Sequence, residues 1–124
     1  MLPDKTVFLD LWATWCSPCK EEFAYNGELR RFLDDQGIIP MYISIDRDLD
    51  DQRWKDMIKY YGLEGYHLRA GPELMKDIRR LFGNEGTLTI PRYVLIKHGK
   101  VVGTRMRPPS DGKLLYQQIA ACLE

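Results

Sequence analysis

Two cysteines, Cys16 and Cys19, stand three positions apart in the stretch WATWCSPCKEE. On a helix these positions share a face, and their separation suits the geometry of a disulfide. Cys16 would precede the first helical turn, where free backbone N–H groups and the helix dipole favour a thiolate over a thiol. Cys19, one turn further in, would be shielded and less acidic. The spacing therefore predicts a redox dithiol with an exposed attacking Cys16 and a buried resolving Cys19.

Two other interpretations of this pair are weaker. Two buried structural cysteines would need neither Trp15 and Pro18 around them nor a strand-to-helix junction before them. A structural metal site takes about four ligands, and this pair supplies two. The other candidate ligands, Cys122, His67 and His98, share no ligand spacing with the pair. Redox chemistry is therefore favoured, and no metal site is expected.

The composition is that of an ordinary soluble globular protein, with 124 residues of which 44% are hydrophobic. This length fits one domain. Eighteen basic and 18 acidic side chains cancel, so charge gives no reason to expect nucleic acid or an anionic membrane as a partner. No apolar run reaches the length of a membrane span, and the first residues, MLPDKTVFLD, lack the pattern of a signal peptide.

The elements that must position the cysteines form a strand–helix–strand unit. A continuous apolar run predicts a buried strand over Thr6–Trp12. A helix is predicted from Ser17, with Pro18 in its first turn and Gly37 just past its end. A second buried strand is predicted over Ile38–Asp46. Two strands joined by a crossover helix should be parallel.

The rest of the chain predicts two helices, a hairpin and a final helix, around one irregular insert. The hairpin would turn at His98-Gly99, and Asp111 would cap the final helix. The predicted segments are helices over Gln52–Tyr61 and Glu73–Phe82, the loop Gly62–Pro72 between them, strands over Arg92–Lys97 and Lys100–Met106, the loop Arg107–Ser110, and a helix from Asp111 to about Leu123.

The motifs FLDLWATWCSPCK (Phe8–Lys20) and TIPRYVLI (Thr89–Ile96) resemble the thioredoxin superfamily. Within it the chain is most similar to the TlpA/ResA-like thiol–disulfide oxidoreductases. The insert Tyr66–Leu68 and the loop Arg107–Ser110 resemble the Bacteroidetes branch of that group. The resemblance implies a thioredoxin-like three-layer α/β fold, with a mixed central sheet flanked by helices, in a single domain over residues 1–124. It also suggests that a longer protein supplies strands upstream.

Two acidic residues are further site candidates. Asp10 is a charge inside an apolar strand, so burial should raise its pKa. The resemblance implies that Asp10 accepts the proton of Cys19, whereas the alternative is a carboxylate at a sheet edge. The lysine that commonly faces this acid is replaced, with Tyr42 or a nearby apolar residue in its place. By resemblance Glu22 modulates thiol acidity; the alternative is a solvated helix charge.

Pro91 follows Ile90 at the start of a predicted strand. On its own, a proline there is a trans residue of an edge strand. The resemblance implies instead a cis bond packed against the cysteine pair, with the Ile90 backbone free to pair with an extended substrate. The topology places the loop Arg107–Ser110 beside the dithiol, where Arg92 and Arg107 are either partner contacts or solvated charges. The substrate-binding candidates are Trp15, Ser17, Pro18, Ile90, Pro91 and Arg107.

Three remaining side chains are expected to have a structural role and no part in the chemistry. His98 is a turn residue, and His67 is expected to be packed or hydrogen-bonded. Cys122, near the end of an amphipathic helix, is expected to be a small buried hydrophobe.

The predicted function is dithiol–disulfide exchange without a cofactor. Ser17-Pro18 is closer to the Gly-Pro of reducing thioredoxins than to the Pro-His of strong oxidants, which favours a reductant. We expect a monomer that takes electrons from another dithiol protein and reduces a disulfide-containing protein. By resemblance the site is extracytoplasmic, periplasmic or held at the membrane through an upstream anchor. A cytoplasmic location stays open.

Two other functions are possible for such a chain. A peroxidase of the peroxiredoxin type keeps a hydroxyl residue three positions before its cysteine; here that position is Ala13, with Thr14 one step off. A redox-silent binding module of the same fold usually loses a cysteine or the later proline, and all three are present.

Overall fold

The computed structural model, which describes residues 4–124, is built around a five-stranded sheet. The strands are β1 (Thr6–Trp12), β2 (Ile38–Ser44), β3 (Tyr66–Arg69), β4 (Arg92–Lys97) and β5 (Lys100–Gly103). The α-helices are α1 (Ser17–Glu22), α2 (Asn26–Gln36), α3 (Asp51–Tyr61), α4 (Pro72–Phe82) and α5 (Lys113–Leu123). Short 3-10 turns cover Phe23–Tyr25, Asp48–Asp50 and Pro109–Asp111.

The strand order is β3-β2-β1-β4-β5. β1 pairs in parallel with β2, which pairs in parallel with β3, whereas β4 runs antiparallel to both β1 and β5. The predicted parallel pair and the mixed α/β sheet are confirmed. β1 lies in the centre of the sheet, which explains why its sequence is almost continuously apolar.

Helices cover both faces of the sheet, and the side chains of β1 alternate between them. One face packs on α4 through Val7, Leu9, Leu11, Ile78 and Phe82. The opposite face packs on α2 and α5 through Phe8, Leu29, Leu33, Leu115 and Ile119. Because alternate residues of a strand share a face, Asp10 lies on the same face as Phe8, under α2 and α5.

The predicted loop Gly62–Pro72 is wrong over its centre. Tyr66–Arg69 forms β3, which extends the sheet at the edge beside β2. The strand is four residues long, and its side chains alternate between exposed and half-buried. It is stabilised by its pairing with β2, which includes the His67 ring stacked on the ring of Tyr42 in β2. Because these contacts are non-local, the local sequence does not show them. The glycines around the strand therefore led to the prediction of a loop.

The helix that follows the cysteines is divided in two. A 3-10 turn at Phe23–Tyr25 separates α1 from α2, where one continuous helix was predicted. Phe23 packs edge-on against Trp12, with ring centroids 5.3 Å apart, and the next residues, Asn26 and Gly27, are weak helix formers. The predicted end is confirmed at Gly37, which adopts the left-handed conformation with φ 69°.

Several predicted boundaries move near the C-terminus. The hairpin turn at His98-Gly99 is confirmed, and both residues have positive φ. β5 ends at Gly103, before the predicted Met106. Asp111 was predicted to cap the last helix, which is wrong, because it lies in a 3-10 turn and α5 begins at Lys113 after Gly112.

Candidate active site

The cysteine pair lies at the junction between β1 and α1. Cys16 is the N-cap residue of α1, and its Sγ accepts a hydrogen bond of 3.2 Å from the backbone N–H of Cys19. The two cysteines form a disulfide, with their Cα atoms 5.3 Å apart. Pro18 lies in the first turn, as predicted. The strand-to-helix junction therefore places both sulfurs at one end of the sheet.

Both cysteines are buried in this oxidised state. Cys16 is 5% exposed and Cys19 is 1% exposed. Cys19 is the more deeply buried of the two, as predicted. The predicted exposure of Cys16 is wrong for the disulfide form, because Cys16 packs with Trp12 and Phe23 in one apolar cluster. The exposed groups beside it are Trp15, Ser17 and Pro18.

The Ile90–Pro91 peptide bond is cis, as the resemblance implied. Ile90 is half-buried and packs against the apolar cluster that contains Cys16 and Cys19. Pro91 is also half-buried and directly precedes β4. Residues that are more than 70 positions apart in the chain thus meet at the dithiol.

Asp10 lies in the middle of β1 and is 5% exposed. The alternative of a sheet-edge carboxylate is wrong, because β1 is the central strand. Tyr42 on β2 and Tyr93 on β4 are its partners in register, so both flank it on the same face. Its Oδ1 has no hydrogen-bond partner among the protein atoms of residues 4–124. Burial, reinforced by the negative charge of Glu22, raises the pKa of Asp10 to about 8.

Glu22 is held by the loop Arg107–Ser110. The backbone N–H and the hydroxyl of Ser110 donate hydrogen bonds of 2.8 Å each to the two carboxylate oxygens. This contact brings the loop beside the helix that carries the cysteines, as the topology predicted. The carboxylate is therefore bound by the protein and its negative charge raises the pKa of Asp10, while its predicted effect on thiol acidity stays a prediction.

Arg92 is buried, so the alternative of a solvated surface charge is wrong for this residue. Its guanidinium is buried and donates hydrogen bonds to the carbonyl oxygens of Thr104 (2.6 Å) and Phe82 (2.7 Å). Burial lowers the pKa of Arg92. Arg107, by contrast, is exposed, and its guanidinium lies 3.2 Å from a carboxylate oxygen of Asp111. Of these two arginines, Arg107 is the exposed one.

A buried polar network around Asp46 was not predicted. Asp46 is 1% exposed, and its carboxylate accepts hydrogen bonds from the backbone N–H (3.0 and 3.1 Å) and the hydroxyl (2.7 Å) of Thr14. The Ser44 hydroxyl donates a further bond of 2.5 Å. The network ties the loop before Cys16 to the end of β2. No local pattern in the sequence pointed to this network, because Thr14 and Asp46 lie 32 positions apart.

We expect Asp46→Ala to lower the free energy of unfolding by about 2–3 kcal/mol, because it leaves the donors of Thr14 and Ser44 buried without an acceptor. Urea denaturation measures this change. The matched control is Asp48→Ala, two residues away, where the side chain is 94% exposed and the change should stay below about 0.5 kcal/mol. Equal losses in both variants would show that the network does not stabilise the loop.

The remaining predicted residues have structural positions. His67 is half-buried, with Nε2 2.7 Å from the carbonyl oxygen of Leu63, in agreement with its predicted packing. Cys122 is half-buried rather than fully buried, and it packs against the cluster under α5.

No helix within residues 4–124 is long and apolar enough to cross a membrane. The same residues contain no cluster of three or more histidine, cysteine or acidic side chains that could hold a metal ion.

Known proteins resemble this chain in both sequence and fold. The ResA thiol-disulfide oxidoreductase of Bacillus thuringiensis (strain Al Hakam) is 34% identical over 102 residues, which cover 82% of this chain and 54% of that relative. The chain thus spans about half the length of the curated relatives it matches. These relatives confirm the resemblance to the TlpA/ResA-like group.

Solved structures show the same architecture. The thioredoxin domain of a thiol-disulfide oxidoreductase from Bacteroides vulgatus superposes with a TM-score of 0.76 at 23% identity, over 98% of this chain and 81% of that one. A thiol:disulfide interchange protein of Chlorobium tepidum gives a TM-score of 0.74 at 22% identity, over 94% and 81%. At these identities the likeness concerns the fold. The family described as thioredoxin-like matches residues 4–101, and the chain therefore belongs to the thioredoxin-like family.

Proposed function

We propose that this chain is a thiol–disulfide oxidoreductase that reduces protein disulfides with the dithiol of Cys16 and Cys19. The observation that carries the proposal is the Cys16–Cys19 disulfide at the start of α1, with Asp10 buried in the strand that leads to it. The ResA relatives are named thiol-disulfide oxidoreductases, which supports the same activity.

The proposed reaction moves two electrons to the substrate. The Cys16 thiolate attacks one sulfur of a substrate disulfide, and the other substrate sulfur leaves as a thiolate that takes a proton. Cys19 then gives its proton to the Asp10 carboxylate and attacks Cys16. This second step breaks the mixed disulfide, releases the second substrate thiol and leaves the Cys16–Cys19 disulfide of the structure. Another dithiol protein would restore the reduced pair, so no cofactor is required.

Asp10 suits the role of proton acceptor because its pKa of about 8 lies close to the ordinary cysteine value of about 8.5. A proton can pass between groups of similar pKa with little change in free energy. Glu22 contributes by its charge, which disfavours ionisation of Asp10. Because Ser110 holds the Glu22 carboxylate, the loop Arg107–Ser110 would help to set the pKa of Asp10.

The substrate is proposed to lie across the exposed surface around the dithiol. Trp15, which is 56% exposed, would cover apolar side chains of the substrate together with Ser17 and Pro18. The Ile90 backbone beside Pro91 would pair with an extended segment, and Arg107 would meet an acidic or polar group. A disulfide in an extended part of a protein fits this surface.

The location and the partners belong to the same proposal. The resemblance to TlpA/ResA-like proteins supports an extracytoplasmic site, reached through a segment upstream of this chain. We propose a monomer that receives electrons from a dithiol protein in that compartment.

The test is reduction of insulin by the reduced chain under dithiothreitol, measured as precipitation of the free B chain. We expect a rate well above that of dithiothreitol alone. The double variant Cys16→Ser/Cys19→Ser is the control and should not exceed that background. A wild-type rate equal to the control would contradict the oxidoreductase. Hydrogen peroxide should not be consumed faster than by free thiols, since the Thr14 hydroxyl is bound to Asp46.

A further inference from the structure

A cavity about the size of one water molecule lies beside Asp10. Its volume is about 10 Å³, which is at the lower limit for holding one water. The polar residues that line it are Asp10, Asn26, Arg30 and Tyr42. A buried water needs two to four polar partners, and this wall can supply them. A water held in this cavity would therefore give the buried Asp10 carboxyl a hydrogen-bond partner.

A second, larger and more open pocket of about 230 Å³ borders some of the same residues. Asn26, Arg30 and Tyr42 line both spaces. The open pocket also includes Glu64, which forms an ion pair with Arg30. These shared side chains therefore border both the Asp10 cavity and the open pocket.

Tyr42 is the one of these shared side chains that can carry a proton. Its hydroxyl accepts a hydrogen bond of 3.2 Å from Nδ2 of Asn26. A tyrosine hydroxyl has one hydrogen to donate, and within residues 4–124 that hydrogen bonds to no protein atom. Tyr42 also belongs to the apolar cluster that contains Cys16 and Cys19. The hydroxyl is thus held in place by Asn26 while its hydrogen is free to turn.

We propose that Tyr42 relays the proton of Asp10 to solvent, an inference that rests on the proposed reductase function. Asp10 gives its proton to a water in the small cavity, and that water passes a proton to Oη of Tyr42. At the same time the Tyr42 hydroxyl hydrogen passes to water in the open pocket. One proton crosses, no electron moves, and Tyr42 is neutral before and after. The reverse sequence brings a proton in.

The surrounding charges agree with a neutral relay. Burial, and next the Asp10 charge, raise the pKa of Tyr42, so that it keeps its hydrogen. His67 stacks on its ring from β3, and burial lowers the pKa of this histidine, which favours its neutral form. Glu22 faces Asp10 from α1 with a negative charge, while Tyr93 flanks Asp10 from β4. Arg30 and Glu64 are paired at the open pocket.

The test compares Tyr42→Phe with Tyr93→Phe. Both changes remove one buried hydroxyl next to Asp10 and keep the ring, but Tyr93 lines neither the small cavity nor the open pocket. The reduced proteins react with 5,5′-dithiobis(2-nitrobenzoate) in a stopped-flow instrument. All the proteins compared carry Cys122→Ser, because this free thiol also reacts with the reagent. The first release of nitrothiobenzoate then reports the attack by Cys16, and the second reports resolution by Cys19.

In Tyr42→Phe we expect the second phase to slow about tenfold at neutral pH, with an unchanged first phase and a larger solvent isotope effect. The slowing should shrink above about pH 8, where Asp10 is already ionised. Tyr93→Phe should leave both phases within twofold of the wild type. Asn26→Leu, which removes the partner of the Tyr42 hydroxyl, should also slow the second phase, and it decides the question if Tyr42→Phe does not fold.

A normal second phase in Tyr42→Phe would overturn the relay alone. Equal slowing of both phases, or equal slowing in Tyr93→Phe, would overturn it as well, since either result indicates a structural effect. A wild type that shows no second phase would instead overturn the proposed function, and the relay with it.

Discussion

Replacing Cys16 by serine is expected to reduce the rate of insulin reduction to that of uncatalysed exchange, a fall of at least about a hundredfold. The thiolate is the nucleophile of disulfide exchange, and a serine hydroxyl is not ionised at neutral pH. Cys122→Ser provides the matched control, because Cys122 lies on α5 and packs against a cluster apart from the one that contains the dithiol. Its rate should stay within about twofold of the wild type. Retention of a tenth of the activity in Cys16→Ser would contradict the assigned attacker.

The companion change, Cys19→Ser, should stop the reaction one step later. Cys16 can still attack, but the group that would resolve the mixed disulfide is missing. Substrate should then remain covalently bound to Cys16, which is detected as an adduct on a non-reducing gel and lost on reduction. If no adduct formed while the wild type reduced insulin, Cys19 would not be the resolving residue. Expressed in its native host, the same variant would capture the natural substrates and reveal their compartment.

The second large effect concerns Asp10 and the dependence of stability on pH. The pKa of Asp10 is raised from 3.8 to about 8 in the folded, oxidised chain, first by burial and then by Glu22. Between these values the folded chain keeps a proton that the unfolded chain has released. The free energy of unfolding therefore falls as pH rises through this window, and it levels off above about pH 8. Across this pH window the free energy of unfolding falls by on the order of 5 kcal/mol.

Asp10→Asn isolates this contribution, because the amide does not titrate. We expect wild type and variant to be similarly stable near pH 4, whereas the variant should be more stable by several kcal/mol at pH 9. Urea denaturation of both oxidised proteins across this range measures the difference and cancels other titrating groups. Parallel curves would show that the Asp10 pKa is not raised. The variant should also slow the Cys19 step, since its amide cannot accept the proton.

The sequence alone determined the parts of this protein that depend on neighbouring residues. The bounds of β1 and β4 follow from local apolar runs, and the hairpin turn follows from the pair His98-Gly99 between two strand patterns. The place of Cys16 at the start of α1 follows from the adjacent Pro18 and from the strand before it. These signals lie within a few positions of each other, so they can be recognised without knowledge of the fold.

The cis bond at Ile90–Pro91 and the role proposed for Asp10 came from family resemblance. A proline by itself favours the trans form, and an acid in an apolar strand indicates burial without indicating its neighbours. For these residues the local pattern left alternatives that only the matching motifs distinguished.

Tertiary structure decided everything that joins distant parts of the chain. β3 exists because β2 offers it an edge, and the clamp between Glu22 and Ser110 links residues 88 positions apart. Asp46 and Thr14 are 32 positions apart, and nothing in their local sequences indicated that they meet. The Asp10 cavity likewise needs α2 packed over the sheet. Such contacts depend on which surfaces meet in space, and that information is spread over the whole chain, where no local pattern records it.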